Sequence, residues 1–247
     1  MSISSAEELA GMRQVGALVR DLLAHLQRRL EPGMTTGDLD ADAARFLASR
    51  GAASAPQTLY AFPGATCLSV NDEIVHGVPG RRVVTATDLV KIDVTAQLDG
   101  FIADAAVSVP MPGASEEARH LAACAREAFT LAMTVVRAGA LVSRIGGIVD
   151  RTVRARGFRV VRELTGHGVG RAIHEPPDVP NIPMARRTDR LTRGLVIAVE
   201  PIIAARQAHV VTAADGWTLR THNGALAAHY EHTVIVTDGE PEILTAA

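Results

Sequence analysis

The sequence predicts an α+β domain in which helices cover one face of an antiparallel sheet. Three observations carry that expectation. Segments with apolar residues every three or four positions come in pairs, each pair followed by short Val/Ile-rich segments, and this order occurs twice along the chain. Asp99-Gly100 joins two of the Val/Ile-rich segments with the signature of a two-residue hairpin turn. No Ser/Gly-rich linker separates the two halves, so residues 1–247 read as a single domain.

The elements follow in order. Ser5 and Glu8 have capping-box spacing, and Leu9, Met12, Val15, Val19, Leu22, Leu26 and Leu30 then recur at helical period until Pro32-Gly33. A second helix is expected over Asp38–Ser49, with Gly51 beyond its end. Thr66–Asn71, Leu89–Gln97 and Phe101–Val109 read as strands. Ser115-Glu116-Glu117 opens a third helix expected to reach about Arg137, and Ser143 opens a fourth that stops at Gly157. Strands are then expected over Phe158–Glu163, Leu195–Ile203, His209–Ala213 and Leu226–Thr237.

Composition narrows the class. With 47% apolar and 21% charged residues, the chain can form a core without disulfides. The net charge of -2 gives no reason to expect a membrane surface or specific nucleic acid as partner. Cys67 and Cys124 form no close-spaced pair that suggests a structural zinc. The first thirty residues carry Glu7, Glu8, Arg13, Arg20 and Asp21, unlike a signal peptide, and the apolar stretch Phe129–Val149 is broken by Arg137 and Arg144. A cytoplasmic protein is expected, and nothing demands more than a monomer. Lys91 is the only lysine among 25 basic residues.

The candidate chemistry lies in acids placed where acids are costly. Asp93 and Asp104 sit in Val/Ile-rich segments. If Asp99-Gly100 forms a two-residue turn, Leu98 pairs with Phe101 and Asp93 with Ala106. Asp104 then shares a face with Asp93, with Cβ atoms roughly 7 Å apart. Such a pair is either a solvated acidic patch or half of a two-metal site, whose ions lie about 3.5–4 Å apart. His167 is flanked by Gly166 and Gly168, and His174 follows in what reads as one Gly/Pro-shaped loop. Glu200 ends the run Leu195–Val199, and Glu231 sits within the Val/Ile-rich Tyr230–Val236. Mixed carboxylate and imidazole donors suit Mn, Fe, Co or Zn, and a pair of such ions points to hydrolysis of an amide or ester. His25 and His120 are expected to face solvent, His209 and His222 to lie near turns, and His232 to alternate away from Glu231.

These pieces together carry a resemblance. Asn71–Pro79, Lys91–Thr95, Gly166–Gly170 with His174-Glu175, Val199–Pro201 and Tyr230–Thr233 resemble, in order and spacing, type I methionine aminopeptidases of peptidase family M24. The resemblance implies the pseudo-twofold pita-bread fold and one catalytic domain over residues 1–247. It implies two divalent metal ions: Asp93 on one, His167 and Glu200 on the other, Asp104 and Glu231 bridging. It also implies that Glu200 accepts a proton from the attacking water, that His174 stabilises the oxyanion, and that His76 contacts the substrate amide. Phe62, Cys67, His76 and Trp217 are expected around a methionine side chain. The substrates would be nascent polypeptide N-termini whose second residue is small.

The sequence departs from the family at Ile173 (often Phe), at Ala105 and Ala106 (often a hydroxyl residue) and at His229 (usually Gln). Leu59 and Phe62 fall at pocket positions often held by tyrosine. Two alternatives remain: an Xaa-Pro aminopeptidase or prolidase, which usually carries an extra N-terminal domain, and a non-catalytic member of the fold. Arg151, Arg154, Arg156, Arg159 and Arg162 are either a solvated helix face or, for co-translational work, a contact with the ribosome.

Overall fold

A computed structural model describes residues 1–184 and 188–246. Among them the helices are α1 (Ala6–Arg29), α2 (Thr36–Ala48), α3 (Ala55–Tyr60), α4 (Glu116–Met133) and α5 (Ser143–Ala155). Ser5 caps α1 by accepting from the Glu8 amide at 3.2 Å. A complete capping box opens α2: Thr35 Oγ1 accepts from the Asp38 amide and Asp38 Oδ2 from the Thr35 amide, both at 3.0 Å. The short α3, which periodicity did not reveal, is capped by Ser54 with Pro56 in its first turn. α4 stops short of Arg137. Its cap Thr134 turns its hydroxyl onto Leu131 O at 2.7 Å, and the β-branched Val135 and Val136 follow.

The main sheet has nine strands, and every pairing in it is antiparallel. Its central path runs Ala53–Ser54, Leu89–Leu98, Phe101–Pro110, Glu231–Ile235, Val196–Val199, Thr165–Gly168 and Glu175–Pro180. Cys67–Val70 adds to the Leu89–Leu98 strand and Glu242–Ile243 to Glu231–Ile235. The central hairpin has the expected register, with Leu98 opposite Phe101 and Asp93 opposite Ala106. Helix α1 lies across this hairpin, and Ile92, Val94, Ala103 and Ala105 share a core with α1 and α2. Ile197, Val199 and Val234 share a second core with α4 and α5. Each buried Val or Ile among these contributes about 1.5–3 kcal/mol relative to exposure. Helices α1, α2, α4 and α5 therefore sit on one face, and strand alternation sends Asp93, Thr95, Asp104 and Ala106 to the other.

Two expected strands are each two strands. Leu195–Ile203 divides into Val196–Val199, in the main sheet, and Ile202–Ala204, in a three-stranded sheet with Ala227–His229 and Arg159–Val160. Pro201, which has no amide to donate, sits at the break. Leu226–Thr237 divides likewise into Ala227–His229 and Glu231–Ile235. Both chains thus leave one sheet and enter the other, and Glu200 and Glu231 lie at the two corners. Of Phe158–Glu163 only Arg159–Val160 is paired. A further small sheet joins Glu73–Val75, Leu219–Thr221 and Val210–Thr212.

One expectation about the histidines is corrected by packing, and two hold. His25 is half-buried rather than solvent-facing: its Nε2 meets Asp42 Oδ2 at 3.1 Å and its ring lies on Phe46. Lys91 is buried, its ammonium donating to the carbonyls of Asn71 (2.7 Å) and Ala227 (3.1 Å), and burial lowers its pKa to about 7. His120 is exposed, and His232 is buried on the face away from Glu231, bonded to Thr245 and Tyr230. No helix among the described residues is long and apolar enough to cross a membrane.

Gly146 in α5 shows how tightly the helical layer sits on the sheet, since a Cβ there would overlap the carbonyl oxygens of Ile182 and Pro180. Gly146→Ala is expected to destabilise the fold by about 1–3 kcal/mol despite alanine's better helix propensity, because backbone must move. Chemical denaturation of the two proteins side by side checks this; equal midpoints would contradict it.

Candidate metal centre

Five carboxylate and imidazole side chains expected from the sequence line one cavity: Asp93, Asp104, His167, Glu200 and Glu231. The central hairpin supplies the first two. Thr95, directly across from Asp104, donates its hydroxyl to Asp104 Oδ1 at 2.9 Å. The Thr233 hydroxyl accepts from the Asp104 amide and donates to the Asp104 carbonyl, both at 2.8 Å, which pins that strand to its neighbour. The two sheet corners supply the glutamates. Asn181 Nδ2 holds the Glu200 carbonyl at 2.8 Å in the buried interior.

His167 does not lie in a loop. It sits within the strand Thr165–Gly168, and His174 immediately precedes the partner strand Glu175–Pro180, so the two histidines occupy arms of one antiparallel pair. Gly166 and Gly168 are required there by packing, because a Cβ on either would strike a carbonyl oxygen of a neighbouring segment, Ala198 and Pro176 respectively. His167 Nδ1 faces its neighbour's carbonyl, Gly168 O, at 2.9 Å, which leaves Nε2 directed at Glu200 Oε1, 3.4 Å away. The rings of His167 and His174 are 4.5 Å apart. Glu175 holds the intervening turn by accepting from the amides of Arg171 (2.7 Å) and Ala172 (2.8 Å).

Charge dominates this cavity. Burial, then the neighbouring Asp104, pushes the Asp93 carboxyl well above its usual range, and burial with Glu231 does the same to Asp104. Burial, reinforced by Glu200, raises Glu231 to about 7. Burial alone would lower His167, but Glu200, Glu231 and Asp104 outweigh it and raise it. The donor atoms of Asp104, His167 and Glu231 all lie within 4.8 Å of one another. Buried acids this close accept either protons or cations, and a carboxylate–imidazole set is the donor chemistry of a divalent metal. The residues fit such ions.

Phe62, Cys67, His76 and Trp217 line the same cavity, with Phe62 and Trp217 meeting edge to face at 5.3 Å. His76 holds a left-handed backbone (φ 56°), uncommon for a non-glycine residue, at the end of the strand Glu73–Val75. Burial lowers the pKa of both His76 and His174. Leu59, expected at a pocket position, is 47% exposed and is not among the lining residues. The α3 turn presents the next residue instead: the Tyr60 hydroxyl lies 3.0 Å from His174 Nδ1. Sequence reasoning missed Tyr60 because the handedness of a one-turn helix leaves no periodic signal. It treated His229 only as a family departure, yet His229 lies 3.4 Å from Glu231 and 3.5 Å from Glu200. The signal available was its i, i+2 spacing from Glu231.

This arrangement has known counterparts. The chain matches the model of metallopeptidase family M24 over residues 10–238. It is 39% identical over 247 residues to methionine aminopeptidase 2 of Bacillus subtilis, covering 99% of each chain. Its fold matches the crystal structure of methionine aminopeptidase from Thermotoga maritima with a TM-score of 0.96, 32% identity and 100% of both chains covered. The prolidase from Pyrococcus furiosus shares the fold at a TM-score of 0.80 and 19% identity, this chain spanning 65% of that protein.

The charge crowding generates a direct expectation. Mn²⁺ or Co²⁺ added to the metal-stripped protein should raise its unfolding temperature in a concentration-dependent way, by about 2.7 kcal/mol of stabilisation at a free concentration 100 times Kd. Calorimetry with and without a chelator reads this, and an unchanged transition would remove the case for a cation in the cavity.

Proposed function

The chain belongs to metallopeptidase family M24, and from that premise we propose that Asp93, Asp104, His167, Glu200 and Glu231 hold two divalent ions beside which an N-terminal methionine is removed. The activity is that of a methionine aminopeptidase, a metal-dependent exopeptidase. The observation that carries the site assignment is the convergence of all five side chains, with His76 and His174, on one cavity walled by Phe62, Cys67 and Trp217. Residues 1–247 act as one catalytic domain on this reading, since the two helix-covered halves share one continuous sheet.

Two bound ions would supply Lewis acidity toward the scissile carbonyl and make water acidic enough to attack near neutral pH. The chain's own groups do the rest. Glu200, held through its carbonyl by Asn181, takes the proton from the attacking water. His174 is neutral through burial, and its Nδ1 faces the Tyr60 hydroxyl. With that hydroxyl donating to Nδ1, the ring proton sits on Nε2 and is available to the developing oxyanion. His76, also neutral through burial, is the donor or acceptor for the amide next to the cleaved bond. The methionine thioether packs between Phe62 and Trp217, where sulfur–aromatic contact adds about 0.3–1.5 kcal/mol. Burial and Asp93 raise the Cys67 thiol, so it serves as an apolar wall rather than a nucleophile.

The substrates on this reading are nascent polypeptide N-termini with a small second residue, met in the cytoplasm by a monomer. Arg154 and Arg156 pair with Asp150 (2.8 Å) and Glu127 (2.7 Å), which supports a solvated face rather than ribosome contact through α5. The prolidase-like alternative rests on fold similarity alone, and an intact ligand set disfavours the non-catalytic one.

The deciding assay is hydrolysis of Met-Ala-Ser beside Met-Pro and Leu-Ala-Ser, with the stripped protein titrated by Mn, Fe, Co and Zn. Methionine release from Met-Ala-Ser only, rising with metal, is expected; cleavage confined to Met-Pro would favour the prolidase-like reading. Glu200→Gln should nearly abolish turnover in a protein that still unfolds cooperatively, and full activity would refute its role. His174→Ala should lower kcat by about 10²–10³-fold; an effect on KM alone would contradict oxyanion stabilisation.

A further inference from the structure

We propose that His229 is a sixth protein ligand of this centre, an imidazole that joins Glu200 and Glu231 in holding an ion; the proposal rests on the metal-centre reading above. The first observation is one of satisfaction. Among the described residues, the buried side-chain nitrogens and oxygens without a hydrogen-bond partner are His229 Nδ1, His229 Nε2 and Glu231 Oε1. His229 is 2% exposed. A buried imidazole with both nitrogens unpartnered is rare and costly unless something absent from the protein chain completes it. All three atoms belong to one pair of side chains in one cavity.

The second observation is geometric. His229 Nε2 lies 3.4 Å from Glu231 Oε2 and 3.5 Å from Glu200 Oε2, and His167 Nε2 lies 3.4 Å from Glu200 Oε1. A charge-assisted N–H···O bond would be about 2.7–2.9 Å. Donor atoms about 2.1 Å from a shared tetrahedral ion stand about 3.4 Å from one another. The separations exceed the length of that bond and match the spacing of co-ligands. The donor atoms of Glu200, His229 and Glu231 also lie within 4.8 Å of one another.

The ring is built into place from behind. Ser108 Oγ accepts from the His229 amide and donates to the His229 carbonyl, both at 2.9 Å, clamping that residue across the strands two positions before Glu231. A second imidazole shifts the donor set toward nitrogen, which favours Co and Zn over Mn.

The test uses the full-length, metal-stripped protein and its His229→Gln variant, each loaded with one equivalent of Cu²⁺ and examined by electron paramagnetic resonance. Wild type should show superhyperfine coupling to one more imidazole nitrogen, counted over the bound copper, than the variant. Titration calorimetry should show Co²⁺ binding weakened at least about tenfold in the variant, with a smaller change for Mn²⁺. A coupling pattern identical in wild type and variant would overturn the proposal, and if His229→Gln fails to fold, His229→Asn takes its place in the same comparison. Tighter Co²⁺ binding in the variant would also overturn it, because it would mean that His229 is a buried imidazolium competing with the ion. A wild-type protein that binds neither Cu²⁺ nor Co²⁺ would defeat the metal-centre reading itself, a result distinct from metal bound through one imidazole.

Discussion

Four carboxylates crowded into one buried cavity are the constraint on which the rest of this structure depends. Asp93, Asp104, Glu200 and Glu231 are each desolvated by the same fold that brings them together, and in that cavity they repel one another. Burial and mutual repulsion raise the Asp93, Asp104 and Glu231 carboxyls, so in the absence of a cation these groups favour protons. A divalent ion would replace those protons with stronger, directional bonds. The scaffold must hold the acids in place against their repulsion. Thr95, Thr233, Asn181 and Ser108 do this by hydrogen-bonding the acids or their backbone neighbours.

The architecture meets this constraint with two kinds of support. Asp93 and Asp104 are carried by a ten-residue hairpin arm each, rigid because α1 packs along its other face. Glu200 and Glu231 stand at corners where two strands leave the main sheet for the smaller one. A corner exposes a side chain from both sheets toward the space between them, which neither sheet face alone could do. The glycine-flanked strand of His167 closes the remaining side, packed so closely that only backbone fits beside it. The opposite wall is less regular: α3 and the turn tied by Glu175 carry Tyr60 and His174 on short elements beside the strand-borne acids.

Much of this was legible from sequence, for physical reasons. A two-residue Asp-Gly turn leaves one register open to the hairpin, so the pairing of Asp93 with Ala106 followed from the turn and the two-residue alternation of strands. Acids inside Val/Ile runs stood out because such placement is costly without a partner, and all of them reached the cavity. The helices were readable from their apolar period and caps. These signals are local: each depends on residues within one or two turns of one another.

What the tertiary structure decided is non-local. No local pattern divides Leu195–Ile203 between two sheets, since both parts are equally apolar and only their partners differ. His167 read as a loop residue because glycines lower strand propensity, whereas in the fold those glycines answer to carbonyl groups of Ala198 and Pro176. Tyr60 rather than Leu59 reaches His174 because one turn of α3 points it there. His229 was a substitution on paper and a buried imidazole facing Glu200 and Glu231 in space. The sequence by itself determined the elements and the identity of the charged residues, because turn chemistry, periodicity and the cost of a misplaced acid act over short range. Only the tertiary structure decided which of those charges share one cavity, because that depends on strand pairings between residues more than a hundred positions apart.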